Sequence, residues 1–229
     1  VPIEMFGGAR FPEIPGGRYF LSLGPHSFMW FRLETVEGAG PRRASGALRL
    51  RTGQSWTNLL DGGSDGFTFA LLAYLPQRRW FGGKAREAQR LAIDDVVWMP
   101  ARWPTPAALV IARVEYKQGE PEQYAVLVSA IPTARAPELE RAPWAHIATI
   151  SRDDGAELRL VDGLAIPEIA SSFLRMFKSR TTLHGQVGAL TFTSRPSMRS
   201  LAPWDQPASI QTGEQSNTSV TFGNRIILK

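Results

Sequence analysis

Cysteine is absent from the 229 residues, and with it go disulfide frameworks, Cys-ligated zinc, iron–sulfur clusters and thiol catalysis. Histidine is scarce: His26, His146 and His184 are the three present, and no two share a helix face at metal-ligand spacing. Lysine is scarce as well. Only Lys84, Lys117, Lys178 and Lys229 stand among the 26 basic residues, and the arginines are scattered along the whole chain. A net charge of +5 spread so thinly lacks the concentrated basic stripe of a nucleic-acid binder. No apolar run approaches the ~18 residues of a membrane-spanning helix. Val1-Pro2-Ile3-Glu4 lacks the charged start and apolar centre of a secretory signal, so the expectation is a cytoplasmic chain with neither membrane nor nucleic acid as partner. The G-x-x-x-x-G-K-[ST] signature is missing too, which sets aside the P-loop route to nucleotide binding.

What is present suffices for folded cores, since 43% of the residues are hydrophobic. The chain starts at Val1 without a Met and finishes on Ile226-Ile227-Leu228-Lys229, which reads as a strand rather than a tail; a piece of a longer protein is expected. Residues 18–34 carry aromatic strand formers on both sides of Gly24-Pro25, a hairpin pattern whose apolar face needs a further sheet to cover it. Residues 37–46 are nearly free of apolar side chains and rich in Gly and Arg, the composition of a linker.

Beyond the linker, a strand is predicted over 47–51 and a helical turn near Trp56-Thr57-Asn58-Leu59-Leu60. Phe67, Ala70, Leu71 and Tyr74 recur at helical spacing up to Pro76. Strand-like runs follow over 91–99, 107–116 and 124–131, the last two joined by a polar turn around Gly119, so an antiparallel sheet with helices beside it is expected. Residues 158–161 read as a short strand ending in an Asp162-Gly163 turn. Pro167 opens an amphipathic helix to about 177 with Ile169, Phe173, Leu174 and Phe177 on one side. The C-terminal pattern over 208–229 is strand, polar loop, strand, Gly223-Asn224 turn, strand.

That last pattern is how kinase-like folds cover ATP, with small polar residues bringing amides and hydroxyls to the phosphates and a strand lysine neutralising them. An ordinary meander with a polar loop has the same spacing, so the pattern leaves both open. The acidic pairs Asp94-Asp95 and Asp153-Asp154 invite a metal or acid–base role. Neighbouring strand residues point to opposite faces, however, and an Asp pair before Gly155 suits a turn, so both pairs are expected to be solvated. Trp80 and Phe81 read as core anchors, Gly82-Gly83 as a tight turn, and Lys84 and Arg86 as solvated.

The particular words add more. Gly213-Glu214-Gln215-Ser216-Asn217-Thr218-Ser219-Val220 with Gly223-Asn224-Arg225-Ile226-Ile227-Leu228-Lys229 resembles the phosphate loop and lysine strand of bacterial maltokinases. Tyr74-Leu75-Pro76-Gln77-Arg78-Arg79-Trp80-Phe81-Gly82-Gly83-Lys84-Ala85-Arg86 resembles the signature of their N-terminal cap domain. Val1-Pro2-Ile3-Glu4-Met5-Phe6-Gly7, with the hairpin through Phe31, is similar to the C-terminal β-domain of trehalose synthases of the α-amylase class, which occur fused to maltokinases.

The resemblance implies an α+β chain. A terminal β hairpin of an amylase-type domain covers 1–36, a linker 37–46, a cap of antiparallel sheet with helices 47–143, and an intermediate region with the first strands of a protein-kinase-like N-lobe 144–229. It implies ATP and magnesium as cofactors, maltose as phosphate acceptor and association with trehalose synthase domains. Ser216, Asn217, Thr218, Ser219 and Lys229 take the nucleotide-binding positions, and the catalytic Asp and metal ligands fall beyond Lys229. Two alternatives stay open: a non-catalytic connector between sugar enzymes, and a kinase of this fold acting on another acceptor.

Overall fold

The computed structural model describes residues 2–5, 7, 9, 11, 21, 23, 28–33, 48–53, 55–60, 64–100, 106–135, 142–196, 204, 207–210, 219–223 and 225–228. Two units divide the chain, Val1–Gly46 and Ala47–Lys229. In the first, β1 (Pro2–Glu4) pairs antiparallel with β2 (Phe31–Leu33), and Phe11 meets Phe31 edge to face at 5.0 Å. The hairpin expected over 18–34 is thus described only in its second arm, and that arm pairs with the N-terminal residues. Of the first arm, only Leu21 and Leu23 lie within the described residues.

The second unit is organised by a six-stranded sheet. In chain order it takes β3 (Arg49–Thr52), β4 (Ala88–Trp98), β5 (Ala107–Tyr116), β6 (Glu122–Pro132), β7 (His146–Arg152) and β8 (Glu157–Asp162), arranged β3-β7-β8-β6-β5-β4. The β4–β6 and β7–β8 pairings are antiparallel meanders, and Gly119 supplies the positive φ (+90°) that turns β5 into β6. The expected antiparallel sheet needs one correction. Strand β3 lies parallel to β7, in register from Arg49 opposite Thr149, so the sheet is mixed at that edge. The change of unit expected at residue 144 falls inside this sheet, because β7 and β8 belong to it.

The strand period of two gives the sheet two buried faces, each with its own core. Helix α1 (Asp65–Tyr74) lays Phe67, Ala70, Leu71 and Tyr74 against Val110, Ala112, Val114, Val126 and Val128 on one face. Helix α2 (Pro167–Ser179) begins at a proline, whose missing N–H would be unpaired in any first turn, and ends at Arg180 in the left-handed region (φ +49°). It buries Ile169 and Met176 against Leu127, Ile131 and Val161 on the other face.

Its opposite side, Ala170 and Leu174, meets Val220 and Phe222. These belong to a three-stranded antiparallel sheet of β11 (Ala208–Ile210), β12 (Val220–Phe222) and β13 (Ile226–Leu228). A small hairpin, β9 (Thr182–His184) with β10 (Ala189–Thr191), follows α2 and had no counterpart in the sequence pattern. None of the described helices is long and apolar enough to cross a membrane.

Candidate functional site

Four clusters hold the chemistry-bearing side chains of the second unit. The first lies under the Trp80–Arg86 motif, at the end of the sheet where β5 turns into β6. Phe81 is buried and stacks on Tyr124 (4.8 Å, 28° between planes), and Trp80 leans on the same ring at 6.0 Å. Both are core anchors, as their position after a helix suggests. The Tyr124 hydroxyl donates to the Glu122 carboxylate, and the single Tyr116 hydroxyl proton has two acceptors at 3.1 Å, the same carboxylate and the Tyr124 oxygen. The Tyr124 hydroxyl above all, then Tyr116 and Arg86, outweighs burial and holds Glu122 below the ordinary carboxylate range.

Arg86 corrects the expectation of a solvated side chain. It forms an ion pair with Glu122 and stands 3.8 Å over the Tyr116 ring, because its stem reaches back across the hairpin end. Gly83 is there because nothing larger fits: a Cβ would collide with the Tyr116 hydroxyl and ring. Replacing Gly83 by Ala should therefore displace Tyr116 and cost about 2 kcal/mol in a denaturant titration. A loss within 0.5 kcal/mol, about the error of such a titration, would show that the ring is free to move aside.

The second cluster is buried deeper. Asp162, read from the sequence as a turn residue, does cap the turn by accepting from the Leu164 N–H (3.0 Å), but its other oxygen accepts from the Tyr74 hydroxyl (3.1 Å) and only 3% of it is exposed. Burial raises its pKa to about 6 against the lowering by Leu164, Tyr74 and the Arg78 charge. Arg78 lies 4.4 Å over the Tyr74 ring and donates to the Trp144 carbonyl. Sequence reasoning missed this site. Its one signal was a lone Asp closing an apolar strand.

The third cluster overturns an expectation. The alternation expected of Asp94 and Asp95 is broken by a register shift between Ile93 and Asp95: Asp94 pairs with Arg113 (2.9 Å), and Asp95, opposite Ile111, is not solvated. It is 9% exposed, and its carboxylate accepts from the backbone N–H groups of Val96 (2.8 Å), Gln186 (2.7 Å), Val187 (3.3 Å) and Gly188 (2.8 Å). The tip of the β9–β10 hairpin wraps this carboxylate, and a Cβ on Gly185 would collide with it. Burial pushes Asp95 up, and the four N–H bonds more than offset it, leaving its pKa below the ordinary value. Asp153 and Asp154 are exposed in a turn closed by Gly155 (φ +84°), as expected.

The fourth region is the anticipated phosphate loop. Ser216, Asn217, Thr218 and Lys229 lie outside the described residues. Ser219 is described: it directly precedes β12 and is 2% exposed, beside the buried Val220 and Phe222. Of the histidines, His26 lies outside the described residues. His146 opens β7, its pKa lowered by burial and then by the Arg159 charge, and His184 closes β9 with its side chain exposed. Among the described residues no three His, Asp or Glu side chains stand close enough to hold a metal ion.

The polar clusters on the α1 face of the sheet, around Asp162 and Glu122, join α1 and the Trp80 motif to strands β5, β6 and β8. This segment, residues 74–165, matches the family model described as the maltokinase N-terminal cap domain, so the chain carries a maltokinase-related domain.

Proposed function

We propose that this chain is the cap-bearing N-terminal part of an ATP-dependent sugar kinase that transfers phosphate to the anomeric hydroxyl of maltose, in a protein that also carries a trehalose-synthase-type domain ahead of it. The observation that carries the proposal is the family match over residues 74–165, which lies ahead of the segment expected to meet ATP. Three antiparallel strands follow it, with residues 211–219 between β11 and β12 and a Gly223 turn (φ +57°) between β12 and β13. That order suits a nucleotide-covering loop followed by a lysine strand.

In this scheme the amides and hydroxyls of Ser216, Asn217, Thr218 and Ser219 approach the phosphates, and the Lys229 ammonium offsets their charge. Magnesium would neutralise charge on the transferred phosphoryl group, held by side chains beyond Lys229. The cap supplies no reacting group. Its hydrogen-bonded clusters hold α1, the Trp80 motif and the sheet as one body beside the nucleotide lobe.

The full-length protein should be stabilised by magnesium-ATP, by about 2.7 kcal/mol at a hundredfold excess over Kd. Lys229→Met should lose most of that nucleotide-dependent gain while leaving the melting temperature of the unliganded protein unchanged. A connector without a nucleotide site would show the same melting curve with and without ATP. Transfer to an amino sugar or aminoglycoside in place of maltose would retain the fold and replace the acceptor.

A further inference from the structure

We propose that the α2-side face of the sheet, where β3, β7 and β8 meet, binds a small phosphate-type oxyanion between Arg159 and Arg49. The register builds the site. Arg49 stands opposite Thr149, and Thr149 opposite Arg159, so the three form one row across β3, β7 and β8. Arg51, Ser151 and Glu157 form the next row. Paired strand residues share a face, and Ile131, opposite Arg159 on β6, puts both rows on the side of α2. The irregularity between His146 and Ala148 brings His146 to this face too, opposite Val161, with its Nε2 3.4 Å from the Thr149 hydroxyl. Helix α2 covers Ile131 and Val161, and beyond them the face is polar.

What asks for an anion is the Arg159 side chain. It is half-buried, its Nε is shut off from water, and no acceptor among the described residues meets it. A guanidinium withdrawn from water is ordinarily paired, because its desolvation is otherwise uncompensated. The charge around it is unbalanced as well. Three guanidiniums, Arg49, Arg51 and Arg159, share the two rows with one carboxylate, Glu157, which lies 3.0 Å from Arg49. Asp153 and Asp154 stand in the exposed turn past Ser151, and Asp154 is taken by Arg152. His146 registers the surplus: burial first, then the Arg159 charge, holds its pKa down.

The ligand class follows from the donors. Arg49 and Arg159 are two strands apart, roughly 10 Å between backbones, with the Thr149 hydroxyl between them. Each guanidinium offers a planar fork that matches two oxygens, so the occupant needs more than two acceptor oxygens. A phosphate group supplies them with a charge of about −2, whereas a carboxylate has two oxygens and a single charge. Arg49 turns to the anion by leaving Glu157, an exposed pair of small net worth. The proposal is independent of the kinase assignment.

Inorganic phosphate added to the full-length protein tests it. The readout is the titration of His146, followed through exchange of its imidazole C2 hydrogen by mass spectrometry. Phosphate should raise the His146 pKa, and sodium chloride at equal ionic strength should raise it far less. The phosphate concentration for half of this response should increase about tenfold or more in Arg159→Gln, and severalfold in Arg49→Gln, whose exposed position spares the fold. Glu157→Gln, which frees Arg49, should lower it, a gain that a merely structural role of these rows would not produce. Four results would overturn the proposal: equal shifts by phosphate and chloride, which is screening alone; a half-response unchanged in Arg159→Gln or in Arg49→Gln; no tightening in Glu157→Gln; or acetate acting at the same concentration as phosphate. Should Arg159→Gln fail to fold, the two exposed variants decide. Phosphate held at a nucleotide site elsewhere leaves the His146 titration unmoved, so this proposal and the kinase assignment fail separately.

Discussion

Asp162→Asn should gain stability on the wild type as pH rises from 4 to 7. Asp162 is protonated in both states below pH 3.8, and its folded pKa is about 6. Between these values the folded chain holds a proton that the unfolded chain has released. Stability contributed by this group is therefore full at pH 3.8 and below, declines as pH rises through the window, and levels off above about 6. The span is worth about 3 kcal/mol. Asparagine does not titrate and keeps an acceptor for the Leu164 N–H, so it removes the decline; its NH2 group stands where the Tyr74 hydroxyl found an acceptor, a loss that is the same at every pH.

The difference between the two melting curves should thus move in favour of Asp162→Asn by about 6–12 °C from pH 4 to pH 7 for a unit of this size. His146, whose pKa is lowered, titrates in the opposite sense, but it does so in both proteins and cancels in the difference. Parallel curves across that range would mean that Asp162 is not held in the low-dielectric setting described.

Asp95→Ala should release the β9–β10 hairpin. It removes the acceptor of the Gln186, Val187 and Gly188 amides and leaves part-buried donors without a partner, a loss of about 3 kcal/mol. The loss should be local: those three amides should exchange about a hundredfold faster while the amides of β5 and β6 keep their protection. Asp95→Asn keeps an acceptor oxygen and should give a smaller effect. The depressed pKa fixes the pH sense. The latch is fully present above the ordinary carboxylate range and weakens as pH falls below it, the reverse of Asp162. Unchanged exchange in Asp95→Ala would show that side-chain packing holds the hairpin.

How far the sequence disclosed these features depends on the range of the interactions. The α1 face, Phe67, Ala70, Leu71 and Tyr74, was legible because four residues of one turn period decide it, and all four are buried. Strand β5 was legible at both ends because an apolar run, Ala107 to Ala112, and the alternating Arg113-Val114-Glu115-Tyr116 stand between a proline-rich break and a polar turn. Strand β7 was not, since a register irregularity between His146 and Ala148 breaks its alternation and its parallel partner β3 lies across most of the domain in sequence.

The acidic residues divide the same way. Asp153 and Asp154 were read correctly from a neighbouring glycine. The partners that bury Asp95 and Asp162 are 91 and 88 residues away, and for Asp95 they are backbone N–H groups, which leave no mark in residue identity. Arg86 was misread for a similar reason: a charged residue in a Gly-rich turn looks solvated until its ring partner Tyr116 is known. For the site itself, the cap was legible in particular words, Trp80-Phe81-Gly82-Gly83-Lys84, rather than in any physical pattern, and the cap family match covers that segment.

The most direct measurement is phosphate transfer by the full-length protein given magnesium, ATP and maltose. ADP and a maltose derivative whose phosphorus NMR signal couples to the anomeric proton are the expected products. ATP left unconsumed, or consumed with phosphate on no sugar hydroxyl, would contradict the kinase assignment.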